Sequence, residues 1–209
     1  MQITDKILIR KAVHSDAESL SKIVAESFPP QDNQRIFGER ITLDIFEIFF
    51  RSDDAIFLIA QDQEKILGYL WLQLEAPSFF NCFKNAVLKT TVAAISILKE
   101  FKFKELLILL RDRKNMNSSF APYPKIMSLA VARQARMKGV GRELISEIQK
   151  YLSVKGAQRY FVLTSTTNTA AISFYEKNGF YRYKHNEGNI VFYKNIEGVL
   201  KNNSAFKPF

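Results

Sequence analysis

The chain has 209 residues, 47% apolar and 24% charged, a composition that suits a globular protein with a substantial buried core. Thirty Lys and Arg against 21 Asp and Glu leave a formal charge of +9, which attracts polyanions such as phosphorylated cofactors. The lysines are scattered, with no dense arginine run or base-stacking motif, and nucleic acid is not an expected partner.

In chain order, Lys6 to Ala12 reads as a short strand. A helix follows, capped by Ser15 or Asp16, with Leu20, Ile23, Val24 and Phe28 at helical spacing. Pro29 and Pro30 stop it, and Arg35 to Ser52 reads as a second helical stretch. Ala55 to Asp62 and Ile66 to Ala76 form an expected antiparallel hairpin about a polar turn. Pro77 to Pro122 reads as one or two inserted helices. Lys125 to Ala132 is a further strand, and it runs into a glycine segment and an amphipathic helix. That helix carries Leu144, Ile145, Ile148, Tyr151 and Leu152 on one face. Gln158 to Thr166 is again a strand. The next helix has Asn168 as its cap and Gly179 at its end. "NIVFYKN" is the last expected strand, and the tail after Gly198 is polar. The pattern predicts one α/β domain over 1–200 and a tail over 201–209. Its central sheet is mixed and flanked by helices, with a helical insertion between strands 3 and 4.

Cys82 is the only cysteine, which excludes an internal disulfide and a thiolate cluster. His14 and His185 show no ligand spacing, so no metal is expected. The first ten residues lack a signal-peptide core, and no apolar run is long enough to span a bilayer. The expected location is the cytoplasm.

The segment "ARQARMKGVGREL", Ala132 to Leu144, sets glycines and positive charge where a helix begins. A helix start carries unpaired N–H groups and a partial positive charge, so it suits an anion. Gly139 and Gly141 offer close backbone approach, and Arg136, Lys138 and Arg142 add charge. It is neither the Walker loop nor the dinucleotide fingerprint. Taken alone, it could equally be an ordinary strand-to-helix turn.

With its context, "MSLAVARQARMKGVGRELI" resembles the acyl-CoA-binding motif of the GNAT superfamily of N-acetyltransferases, through Arg136, Gly139 and Gly141. "NTAAISFYEKNGF" resembles the family's second motif, through Asn168, Ala171, Phe174, Tyr175, Gly179 and Phe180. The resemblance implies a GNAT-like, mostly antiparallel sheet and acetyl-CoA as cofactor. It implies that the loop of Arg136, Met137, Lys138, Gly139, Val140, Gly141 and Arg142 holds the pyrophosphate. The strand before the loop would splay from its neighbour, and the backbones of Leu129 and Val131 would pair with the pantetheine arm. The Leu129 N–H would face the thioester carbonyl. Tyr175 would protonate the departing thiolate, since a phenol is protonated at neutral pH. Asn168 would touch the cofactor as well as cap its helix.

The general base is less evident. Many family members place a glutamate where Met127 falls, and methionine cannot take a proton. A water chain, Glu75, or an amine that arrives unprotonated remain as routes. The acceptor is expected to be a small-molecule primary amine, with a protein amine as the alternative. The insertion could serve as a lid, a homodimer interface or a membrane-surface contact. The rival from another class is a non-catalytic acyl-CoA-binding or membrane-associated protein.

Overall fold

The computed structural model describes residues 7–27, 55–75, 124–186 and 188–196. The helices expected over 35–52 and 77–122, Cys82, and the tail lie outside the described residues.

The described strands form a seven-stranded sheet. They are β1 (Leu8–Lys11), β2 (Ala55–Asp62), β3 (Lys65–Gln73), β4 (Lys125–Val131), β5 (Arg159–Ser165), β6 (Tyr181–Asn186) and β7 (Asn189–Asn195). Their order across the sheet is β1-β2-β3-β4-β5-β7-β6, and only the β4–β5 pair is parallel. The described α-helices are α1 (Ala17–Ser27), α2 (Val140–Val154) and α3 (Thr169–Lys177). This is the mixed, mostly antiparallel sheet flanked by helices that the sequence predicts. No described helix is long and apolar enough to cross a membrane.

The expected hairpin forms as β2 and β3, with Asp62 opposite Lys65 across Gln63 and Glu64. Its strands are nearly continuous apolar runs, because the middle of the sheet is covered on both faces. Helix α2 lays Leu144, Ile145, Ile148 and Leu152 into the main core. Full burial of such side chains stabilises by about 1.5–3 kcal/mol each. Tyr151 stays at the rim, where Lys11 and Lys155 lie over its ring at 6.0 and 5.9 Å.

Two local features differ from the sequence reading. The cap expected at Ser15 or Asp16 is a 3-10 turn over His14–Asp16. Asp16 does not cap forward. Its carboxylate reaches back to accept from the Val13 N–H at 2.7 Å and from both terminal nitrogens of Arg10 at 2.7 and 2.8 Å. Burial alone would raise the Asp16 carboxyl, but the bonds from Arg10 and Val13 and the charge of Arg10 hold it below its ordinary range. Strand β6 is the other difference. Its sequence, "YRYKHN", has little apolar alternation because the strand lies at the sheet edge, where Tyr181, Arg182, Lys184 and His185 face solvent.

Candidate active site

Strand β4 is paired differently on its two sides. Against β3 the register runs from Gln73–Lys125 to Gly68–Val131. Against β5 it includes only Lys125–Phe161 and Ile126–Val162. Beyond Val162, β5 continues through Leu163, Thr164 and Ser165 in register with β7. The two parallel strands therefore stop pairing after Ile126. The β3–β4 register shifts between Trp71 and Leu72, where Ile126, Met127 and Ser128 oppose two residues. Met127 is thus the extra residue of a β-bulge, a device that bends a strand and increases its twist.

The loop that follows starts with a 3-10 turn, Arg133–Ala135, and ends at Gly139, the N-cap of α2. Gly139 has φ 83°, the left-handed region that favours glycine, and Met137 has φ 61° beside it. The helical ladder is joined by Glu143, whose N–H donates to Gly139 O at 3.1 Å. The N–H groups of Val140, Gly141 and Arg142 precede that bond, so none has an acceptor one turn back. Arg136, Met137, Lys138 and Arg142 are exposed around this helix start. Part of Arg136 is spent on the loop itself, since its Nε donates to Val131 O at 3.1 Å and ties the loop to the end of β4.

Gly141 has a different reason for being glycine than the close ligand approach the sequence suggests. It is buried, and a Cβ there would stand 3.0 Å from two ring carbons of Phe174. Gly141 lets the start of α2 rest on α3, so the two sequence motifs meet at this contact.

Helix α3 is capped as predicted, with Asn168 Oδ1 accepting from the Ala171 N–H at 3.0 Å. Tyr175 follows Phe174 and is buried. Its ring lies within 5.4 Å of Phe174, 5.2 Å of Phe180 and 5.8 Å of Phe192. Burial pushes this phenol well above its ordinary value, so it keeps its proton at neutral pH.

Leu129 and Val131 lie on β4 beyond the parting, Arg136 ties the loop to Val131, Gly141 meets Phe174 next to Tyr175, and Asn168 is bonded to Ser165 at the end of β5. Glu75 lies apart. It is exposed, two residues beyond Gln73, the partner of Lys125 at the far end of β4. From Leu70, the partner of Leu129, it is five residues away, about 16 Å along extended chain. Sequence reading passed over a buried hydroxyl pair, Tyr69 Oη and Ser128 Oγ, 2.8 Å apart across the β3–β4 seam. It also passed over Tyr160 on β5. Among the described residues, no three His, Cys, Asp or Glu side chains are grouped as metal ligands.

A family model described as the acetyltransferase (GNAT) family matches residues 17–180. The chain belongs to the GNAT family. Its similarity to curated relatives is partial. It is 29% identical over 84 residues to N-alpha-acetyltransferase 60 of Danio rerio, a stretch of 39% of this chain and 33% of that protein. It is 37% identical over 59 residues to N-alpha-acetyltransferase 30 of Schizosaccharomyces pombe, covering 28% of this chain and 39% of that one. This chain thus spans between 33% and 39% of these two relatives. Solved structures share the GNAT fold over nearly the whole chain. PaiA N-acetyltransferase from Thermoplasma acidophilum, solved with coenzyme A, superposes with a TM-score of 0.61 at 17% identity, covering 91% of this chain and 99% of that one. The ribosomal-protein-S18-alanine N-acetyltransferase from Escherichia coli gives 0.57 at 14% identity, covering 95% and 99%.

Proposed function

We propose that this GNAT chain transfers the acetyl group of acetyl-CoA to a primary amine by direct attack. The observation that carries the reading is the parting of β4 from β5 directly before a glycine loop and a helix start. The residues suit the cofactor. A strand end that leaves its parallel neighbour offers backbone groups to an extended chain, and the loop offers N–H groups and cations to a pyrophosphate.

Acetyl-CoA supplies a thioester whose acyl carbon is open to attack. In this reading the amides from Met137 to Gly141, with Arg136, Lys138 and Arg142, hold the pyrophosphate. Leu129 and Val131 bind the pantetheine arm through their backbones, and the Leu129 N–H stabilises the developing oxyanion. Asn168 meets the cofactor through Nδ2 while Oδ1 caps α3. Tyr175 gives its proton to the departing sulfur. Met127 at the bulge cannot act as base, so water carries the amine proton away. Glu75 ranks second because of its place along β3.

The acceptor in the first reading is a small-molecule amine. A second reading is the α-amino group of a polypeptide, which the names of the two curated relatives favour. Thiol release from acetyl-CoA across a panel of small amines and of peptides with free N-termini tests both. Turnover confined to one set chooses between them. Coenzyme A binding without turnover on any amine would favour a non-catalytic acyl-CoA-binding protein.

A further inference from the structure

Tyr160 stands on β5 two residues before Val162, where β4 and β5 part. It is fully buried, and among the described residues its Oη has no hydrogen-bond partner. An unsatisfied buried hydroxyl destabilises a fold, so packing alone would favour phenylalanine here. The packing of the ring does not call for a hydroxyl. It meets Phe180 edge-on, with centroids 5.3 Å apart. Tyr175 meets the same Phe180 ring at 5.2 Å. Two phenols therefore share one aromatic box, and one of them carries an idle O–H group.

We infer that Tyr160 is a positioning residue for the acid step, its idle O–H dipole turning toward Tyr175 Oη as that phenol gives up its proton. This rests on the reading of Tyr175 as the acid. In that step the Tyr175 O–H bond breaks, the proton goes to the departing sulfur, and the electron pair stays on oxygen. The water that takes the acceptor nitrogen's proton later returns one to the phenol. In between, the charged phenolate's ring stays packed on Phe174, Phe180 and Phe192, which have no O–H or N–H to offer it. A hydroxyl hydrogen rotates freely about its C–O bond when nothing holds it. In a dry site such a dipole acts on developing charge far more strongly than it would in water. Burial first, and then Tyr175, push the Tyr160 phenol upward.

Tyr160→Phe removes only the hydroxyl. With the best acceptor from the amine panel, kcat should fall about tenfold, less than the loss of a donor in direct contact. KM for acetyl-CoA and calorimetric affinity for coenzyme A should not change. The melting temperature should hold or rise, because no hydrogen bond is lost. In a Tyr175→Phe background the second substitution should change nothing further, since no phenolate forms. A melting temperature several degrees lower would show that Oη has a partner, and would overturn the inference. So would an unchanged kcat in Tyr160→Phe when Tyr175→Phe is impaired. An unimpaired Tyr175→Phe would instead overturn the acid assignment, and this inference with it.

Discussion

At the β1–α1 corner, Asp16 is buried and fully used: Arg10 grips it with two nitrogens and the Val13 N–H donates to it. The Arg10 Nε is also placed, on Gln61 Oε1 at 2.9 Å. Where the start of β5 faces the end of α3, Tyr160 is buried with its hydroxyl unpaired among the described residues, on the same Phe180 ring that the buried Tyr175 meets. Both corners put polar atoms out of water, which costs free energy unless partners compensate. The first corner compensates fully, as a group that only holds the fold should. The second carries an uncompensated group in the box where the proposed chemistry generates charge. Substitutions should therefore act on stability at one corner and on rate at the other.

The largest effect is expected at Tyr175. Tyr175→Phe should lower kcat about a hundredfold or more, the usual scale for losing a positioned proton donor. Coenzyme A affinity should hold, because binding belongs to the loop and strand. Single-turnover transfer at the wild-type rate would mean that Tyr175 only packs.

Asp16→Asn should do the reverse, lowering stability by about 2 kcal/mol with kcat unchanged. The cost falls below the usual range for a broken buried pair because Arg10 is 33% exposed and regains water. The pH dependence follows from the lowered carboxyl. Asp16 binds its proton less readily folded than unfolded, so its contribution is complete above the unfolded value of about 4 and is lost as pH falls through the folded one. Denaturant titrations should show that acid loss in the wild type and a flatter profile in Asp16→Asn. A parallel loss in both would assign it to other carboxyls.

Gly141→Ala probes the contact that joins the loop to the aromatic box. The new Cβ would press on the Phe174 ring, which must shift, at about 1–2 kcal/mol. Phe174→Leu in the same chain should restore part of the loss. Equal destabilisation with and without that second change would mean that the ring is not the obstacle.

The smallest effect is expected at Glu75. Glu75→Gln should leave the pH–rate profile nearly intact if water carries the proton. A large loss at neutral pH, recovered as pH is raised, would make Glu75 the base despite its place beyond Gln73.

Much of the site could be read from local pattern. The Asn168 cap, the α2 core face and the β2–β3 hairpin depend on residues a few positions apart, and the structure bears them out. Strand β6 escaped because an exposed edge strand needs no apolar alternation to be held by β7. The capping role expected of Asp16 is turned backward, onto the Val13 N–H, with Arg10 six residues upstream on β1 as its charged partner.

By itself the sequence determined where six of the seven described strands and the three described α-helices fall, and which short motifs carry glycine, charge and the phenol. Those are matters of backbone preference and near-neighbour spacing. Tertiary structure decided that β4 leaves β5 after Ile126, that Met127 becomes a bulge, and that Gly141 is held by Phe174. It also decided that Tyr160 shares a box with Tyr175. Each of these sets residues 15 or more positions apart against one another. Such pairings depend on how whole elements pack, because the contact energy belongs to the pair and neither local stretch contains it.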